Sequence, residues 1–248
     1  MVKILLSGAA GKMGQAVVRA TAQQEDCCVA AGIDRVPAPG DFPTFSSPSE
    51  CDVACDVLID FSHPTLLDGV LSYALSHKLP AVICTTGLSP EQIDKIHQAA
   101  QEIPVFFSAN MSLGVSLLCE LAKRAAKVLG RSYDIEIIER HHNRKLDAPS
   151  GTALMLADAI SSQLPEQPAY VYDRHSRRAA RPKNEIGIHS IRGGTITGEH
   201  EVLFAGTDET LSLIHSASSR DVFATGALSA AIFVQNQRPG LYSMADLV

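Results

Sequence analysis

The sequence predicts an α/β protein in two parts: a doubly wound parallel sheet, then a domain of α+β type whose sheet is mixed or antiparallel. Three features predict it. Short, nearly continuous apolar runs recur at residues 2–7, 28–33, 57–61, 81–85 and 105–108, separated by stretches with helical spacing. Runs of that kind belong to parallel strands buried on both faces. Beyond Asn110 the pattern changes to a long apolar helix followed by β-branched runs punctuated by glycine pairs. The 248 residues are 46% hydrophobic, 19% charged and 5% aromatic, which is the composition of a globular chain able to bury a core.

In chain order, the first run, at residues 2–7, ends in a glycine-rich turn. Met13, Ala16, Val17 and Ala20 then lay one apolar stripe on a first helix. Ser89-Pro90-Glu91-Gln92 is a capping box with proline at the first helical position, so a helix starts there. A helix is expected at about 113–129, a strand at 133–140, a polar cluster, and a further helix from about Ser150. The stretch 186–217 reads as β, with Gly193-Gly194 and Gly206-Thr207-Asp208 as turns. A last helix, about 223–235, is too apolar to stand alone and is expected to return to cover the first sheet.

Charge and hydropathy exclude several roles. Lys plus Arg number 21 against 27 Asp plus Glu, a net charge of −6, so the field repels polyanions and nucleic acid is not an expected partner. No stretch approaches the ~18 apolar residues of a membrane span, and the chain enters a strand with no basic-then-apolar leader. A cytoplasmic protein with no membrane partner is expected. The six cysteines show no C-x-x-C pair and read as reduced thiols, most of them in the core.

Gly8-Ala9-Ala10-Gly11-Lys12-Met13-Gly14 joins the first strand to the first helix, where a dinucleotide-binding unit places its pyrophosphate turn. Absent side chains let backbone N–H groups approach phosphate, and the helix start adds the positive end of its dipole. Asp34 stands 20 residues beyond Gly14, where a carboxylate accepts from ribose hydroxyls. Arg35 follows it and can pair instead with a 2′-phosphate, so the cofactor is NADH or NADPH. A glycine turn made only for helix–strand packing, with Asp34 and Arg35 as a solvated pair, is the competing reading.

The second cluster runs Glu139-Arg140-His141-His142-Asn143-Arg144-Lys145-Leu146-Asp147-Ala148-Pro149-Ser150-Gly151-Thr152. Five potentially cationic side chains in an acidic protein make a local anion site. With Ser150 as N-cap, the N–H groups of Gly151 and Thr152 point into the space of Lys145 and can receive a carboxylate. His141 and His142 are candidate proton donors near neutrality. A small, dianionic, reducible substrate fits. A metal fits less well, since adjacent histidines lack the i,i+4 spacing of dedicated sites, and a solvated basic loop remains the alternative.

At these residues the chain resembles the bacterial 4-hydroxy-tetrahydrodipicolinate (dihydrodipicolinate) reductases. The family pattern E-x-H-H-x-x-K-x-D-x-P-S-G-T-A stands complete from Glu139 to Ala153. Asp60-Phe61-Ser62, Thr85-Thr86-Gly87, Ser108-Ala109-Asn110-Met111-Ser112, Arg192-Gly193-Gly194, Gly198-Glu199-His200, Ser219-Arg220 and Gly240-Leu241-Tyr242 also fit. The resemblance implies a Rossmann-type domain from 1–111 with 222–248, and a substrate-binding domain at 112–221 that assembles a homotetramer. It implies NAD(P)H-dependent reduction of 4-hydroxy-tetrahydrodipicolinate to tetrahydrodipicolinate in diaminopimelate and lysine biosynthesis.

By position in the pattern, His141 is the implied proton donor and Lys145 its catalytic partner. His142, Gly151 and Thr152 would hold the substrate carboxylates. Gly8, Ala9, Ala10, Gly11, Lys12 and Met13 would cradle the pyrophosphate, and Asp34 with Arg35 would read the ribose. Cys84, Thr85, Thr86, Ser108, Ala109, Asn110 and Met111 would border the nicotinamide. Cys84 stands where the family usually has glycine and Met111 where phenylalanine is frequent; core packing alone also accounts for Met111. Arg192 and Arg220 fit salt bridging within the second domain as well as a substrate, and His63, His77 and His97 fit surface or capping roles. From the fold alone, another oxidoreductase or a non-catalytic dinucleotide sensor is the alternative.

Overall fold

The computed structural model describes residues 1–248, the side chain of Arg131 apart. The chain forms two compact units, 1–113 with 220–248, and 114–219.

The first unit holds β1 (Val2–Ser7), α1 (Lys12–Thr21), β2 (Cys27–Ile33), β3 (Thr44–Phe45), β4 (Val57–Asp60), α2 (Leu67–Ser76), β5 (Ala81–Ile83), α3 (Pro90–Ala99) and β6 (Pro104–Phe107). The second unit holds α4 (Leu113–Leu129), which starts at the unit boundary, β7 (Asp134–His141), α5 (Gly151–Ser161), β8 (Ala169–Val171), β9 (Glu185–Arg192), β10 (Gly198–Ala205) and β11 (Thr210–Ala217). The chain then returns to the first unit with α6 (Asp221–Val234) and β12 (Gly240–Tyr242).

The first sheet runs β12-β6-β5-β4-β1-β2-β3 and every pairing in it is parallel. Without the edge strand β12 this is the doubly wound order 3-2-1-4-5-6, whose direction reverses between β1 and β4. Each strand is apolar on both faces because each face has a helix layer. Ile4, Leu6, Val57, Ile59, Val82 and Phe106 join a core with α1 and α6, whereas Leu5, Leu58, Ile83 and Val105 join a second core with α2 and α3. The last helix therefore covers the first sheet, as its all-round apolarity required. The capping box at Ser89 is formed, with Gln92 N–H donating to the Ser89 hydroxyl and the Gln92 side chain accepting from Ser89 N–H.

One irregularity carries consequences. Ile4 pairs with Val29 but Leu5 pairs with Ala31, so β2 holds an extra residue at that point. The bulge exchanges the faces of everything after it: Cys27 and Val29 face the α1 side, Ala31 and Ile33 the α2 side.

The second sheet runs β11-β10-β7-β9-β8 and is mixed, with β7 antiparallel to β10 and parallel to β9. Its inner face packs on α4 and α5 through Ile135, Ile137, Ile186, Ile188, Val202 and Phe204 against Leu118, Ala122, Leu156 and Ile160. Two-residue β3 and three-residue β8 and β12 lie outside the runs that the sequence pattern marked as strands. The six cysteines are free, three buried and three partly buried, so they are less uniformly core than composition suggested.

Candidate active site

In the first unit every residue expected to meet a dinucleotide follows the carboxyl end of a parallel strand. The Gly8 loop follows β1, Asp34 and Arg35 follow β2, Cys84 to Thr86 follow β5, and Ser108 to Met111 follow β6. A parallel sheet puts all those ends on one edge, and the loop after β1 lies where the strand order reverses.

The glycines have separate steric causes. Gly8 has φ +78°, and a side-chain carbon there would lie 2.7 Å from the Phe61 carbonyl oxygen. A side-chain carbon on Gly14 would lie 2.2 Å from the Gly8 carbonyl oxygen, so α1 can press on the strand end only without one. Gly11 is the N-cap of α1 and offers no capping side chain, and no acidic residue occupies the first turn. The positive end of the helix is thus left to an external anion, and the loop fits a dinucleotide pyrophosphate.

Asp34 is aimed at this loop by the β2 bulge. Its carboxylate accepts from Ala10 N–H at 3.0 Å and from Arg35 N–H at 2.7 Å, and each oxygen keeps a lone pair for a ribose hydroxyl. Next along the edge, the fully buried Asp60 accepts the Thr85 hydroxyl at 2.6 Å and Ser62 N–H at 3.2 Å. Asp60 was not among the expected site residues. Cys84 is buried, and burial, with the Asp60 charge beside it, pushes its thiol well above the ordinary range. Met111 is buried in the α1/α6 core, with its carbonyl 1.6 Å from where a Gly226 side-chain carbon would stand; packing accounts for its burial. Ser108 donates to the Asn110 carbonyl at 2.9 Å, which shapes that loop.

In the second unit the inner face of the sheet changes character along its strands. Ile135, Phe204 and Ile186 form one cross-strand row, and Ile137, Val202 and Ile188 the next. The following row is Glu139, His200 and Ser190, and the last pairs His141 with Arg192. Two apolar rows thus end in two polar ones, and the sheet that anchors the core also delivers the reactive groups.

Glu139 is fully buried and is the centre of the cluster. Its carboxylate faces His141 Nδ1 at 2.5 Å, accepts Ser150 N–H at 3.1 Å, and takes the Arg192 guanidinium on both oxygens at 2.8 and 2.7 Å. Burial alone would raise its pKa, but hydrogen bonds from Arg192, Ser190 and His141 overcome that and bring it down to about 2. A carboxylate ionised at all ordinary pH is acceptor-only, so Nδ1 of His141 carries the proton that faces it. The other nitrogen, Nε2, lies over Gly198, where a side-chain carbon would come within 3.2 Å.

Ser150 is the N-cap of α5, accepting Ala153 N–H at 3.2 Å, and its hydroxyl meets His200 Nε2 at 3.0 Å. Burial, with the nearby His141, brings His200 down to about 4, so it is neutral and accepts from Ser150. The His141 and His200 rings meet edge to face at 5.2 Å. Gly151 and Thr152 are the first two helical residues, where expected. Lys145 Nζ rests on Asp147 Oδ1 at 2.9 Å, and Arg192 also donates to the Asp147 carbonyl at 2.7 Å, tying the loop that carries Lys145 to β9. His142 opens that loop, with Lys145 N–H donating to its carbonyl at 3.1 Å.

His141 and the helix start at Gly151 and Thr152 are therefore tied together through Glu139 and Ser150, with Lys145 on the loop between them held by Asp147, whereas Arg192, Glu139 and His200 enter as residues sequence reasoning left out of the site. For Glu139 the signal was its two-residue spacing from His141, which puts both on one strand face; Arg192 and His200 come from other strands and left no local signal. Among the described residues no group of three or more His, Cys, Asp or Glu converges as a metal cage.

Residues 2–111 match the family described as "Dihydrodipicolinate reductase, N-terminus", and residues 114–248 the one described as "Dihydrodipicolinate reductase, C-terminus". A 4-hydroxy-tetrahydrodipicolinate reductase of Caldanaerobacter subterraneus subsp. tengcongensis is 50% identical over 248 residues, covering 100% of this chain and 98% of the relative. That of Clostridium novyi is 47% identical, with the same coverage. Among solved structures, a dipicolinate-bound dihydrodipicolinate reductase from Paenisporosarcina sp. TG-14 superposes with a TM-score of 0.82 at 26% identity, covering 100% of both chains. A probable dehydrogenase from Thermotoga maritima, with a TM-score of 0.65 at 12% identity over 99% of this chain and 92% of that one, shares the fold alone.

Proposed function

The chain belongs to the dihydrodipicolinate reductase family, and from that premise we propose how its own residues carry out the reaction. It is an oxidoreductase that reduces 4-hydroxy-tetrahydrodipicolinate to tetrahydrodipicolinate with NADH or NADPH, a step of diaminopimelate and lysine biosynthesis.

The first unit is the dinucleotide-binding part. The start of α1 at Lys12 and Met13 receives the pyrophosphate, in a turn that Gly8 to Gly11 shape by donating their own amides to Ile33, Asp34 and Gly8. Asp34 accepts from the ribose of NADH, while the neighbouring Arg35 takes the 2′-phosphate of NADPH. When bound, the reduced nicotinamide supplies a hydride to C4 of the dihydropyridine left by loss of the 4-hydroxyl as water.

The second unit is the substrate part. Lys145 exchanges the exposed Asp147 for a substrate carboxylate, and the amides of Gly151 and Thr152, at the α5 start, take a carboxylate with His142. His141 supplies the proton from Nε2, because Nδ1 is committed to Glu139. The dipicolinate-bound relative supports a planar dicarboxylate in this role. A cytoplasmic homotetramer completes the reading: no described helix is long and apolar enough to cross a membrane, and Ile191 and Ile214 stand exposed on the outward face of the second sheet, the kind of surface a subunit contact covers.

The observation that carries the substrate assignment is the convergence of an imidazole and a capped helix start on buried Glu139, with the Lys145 ammonium held by Asp147 on the loop that joins them. Oxidation of NADH and NADPH is followed with enzymatically generated substrate; turnover is expected, and a folded sample that oxidises neither rejects the assignment. Dipicolinate is expected to inhibit in competition with substrate.

A further inference from the structure

Several groups compete for one buried carboxylate, and that competition has a chemical purpose. We infer that Glu139 and Arg192 are positioning residues for the reduction: the carboxylate decides which nitrogen of His141 faces the substrate, and the guanidinium limits how tightly that carboxylate holds the imidazole. The inference rests on the reading of His141 as proton donor and extends it to two residues that need not touch substrate.

The geometry argues it in three steps. On Glu139, Oε1 receives Arg192 Nη2 and Ser150 N–H, and Oε2 receives Arg192 Nη1 and the His141 ring, with the Ser190 side chain a further donor to the carboxylate. One carboxylate therefore locks the ring of the proton donor and the N-cap residue of the anion-receiving helix in a single frame, so that His141 and the amides of Gly151 and Thr152 keep their mutual spacing. Next, an isolated buried carboxylate against an imidazole would hold the imidazolium proton strongly and leave a poor acid. The two-pronged Arg192 contact neutralises that carboxylate, and the proton stays available. Finally, Arg192 Nη2 reaches the Asp147 carbonyl, so the same guanidinium fixes the loop from which Lys145 projects.

The other charged and titratable groups around His141 act less directly. From β10, His200 is held neutral by burial and turned to Ser150, and His215 stands opposite it on β11. From the loop, Lys145 is paired with Asp147, and His142 adjoins in sequence. Arg140 points to the outward face, where it pairs with Glu199 and Glu201. Among the described residues, Glu139 is the hydrogen-bonding partner of the His141 ring, at Nδ1, and Arg192 is the group that forks onto Glu139.

The signs follow. Removing the Glu139 charge in Glu139→Gln withdraws the partner of the imidazolium, so the His141 titration moves to lower pH, by about one to three units. Removing the Arg192 charge in Arg192→Met leaves the carboxylate unneutralised, so the same titration moves to higher pH. Arg192→Lys keeps the charge without the fork and restores most of the position. Glu139→Gln also lets the ring choose either tautomer, so kcat falls by about 10²–10⁴ while dipicolinate binds with little change.

The test is a ¹⁵N-histidine NMR titration of the full-length, ligand-free protein and the three variants, paired with the pH profile of kcat. Protonated Nδ1 in the neutral His141 ring and opposite displacements in the two charge-removing variants are expected. Displacements of the same sign, no displacement, or a neutral ring protonated on Nε2 would overturn the inference. Should Glu139→Gln fail to fold, the tautomer of the unaltered protein and the Arg192→Met and Arg192→Lys displacements decide alone. Absence of turnover in the unaltered protein would strike the functional reading, while the NMR arm still judges the network.

Discussion

At neutral pH the Glu139 carboxylate carries its charge in a site closed to water, and the Arg192 fork, Ser150 N–H, the Ser190 side chain and the His141 ring make that tolerable. The ionised state in turn dictates what His141 can do, because a ring nitrogen facing an acceptor-only group must hold the proton. His141→Ala is expected to lower kcat by about 10²–10⁴ with dipicolinate binding retained, as steady-state kinetics and a binding titration would reveal. On the proposed role of Lys145 in holding substrate and serving the chemistry, Lys145→Ala is expected to lower kcat and raise KM together. If both variants keep the parent kinetics, the cluster is only a solvated loop. In the first unit, Gly8→Ala places a side chain at φ +78° and 2.7 Å from the Phe61 carbonyl. The conformational part alone costs about 1–2 kcal/mol, so a lower thermal midpoint and weaker coenzyme binding are expected.

Between the residues and the whole, two elements aim the chemistry. The extra residue in β2 reverses the faces beyond it, which turns Gly32 toward Ala9 and brings the Asp34 carboxylate to Ala10 N–H. Sequence spacing located Asp34 correctly, but a bulge is a property of strand pairing and leaves no periodic trace. The start of α5 is the second device. Ser150→Ala deletes the acceptor for Ala153 N–H and the partner of His200, which costs about 1 kcal/mol as a cap. Weaker dipicolinate binding without a change in coenzyme affinity is the expected result; equal weakening of both would deny the helix start a substrate role. The Ser150 cap itself was legible, since serine before a helical run is a local signal. Its contacts to Glu139 and His200 were not, for they join residues 11 and 50 positions apart.

Across the molecule, the perturbed groups of the Glu139 cluster belong to one unit, and acid is expected to act on it through two adjoining windows. His200 has its pKa depressed from 6.5 to about 4, so it resists protonation when folded; stability is present above 6.5 and is lost as pH falls from 6.5 toward 4. Glu139 is depressed from 4.5 to about 2, so its contribution is present above 4.5 and is lost from there down to about 2. Hydrogen exchange corrected for intrinsic rates should show β7, β9 and β10 loosening in both windows, and His200→Asn should diminish the first, to which partly buried His215 on β11 also contributes. Exchange in those strands that is indifferent to pH across both windows would contradict the pairing derived above. The sequence by itself determined the fold class, the glycine turn after β1 and the cap of α5, because periodicity, glycine sterics and helix-start chemistry act over a few neighbouring residues. Only the tertiary structure decided that Arg192 and His200 converge on Glu139, that β2 swings Asp34 to the glycine loop, and that Met111 lies in the core. Strand register and burial are set by chain segments far apart, and the energy of a buried charge exists only once those segments have closed around it.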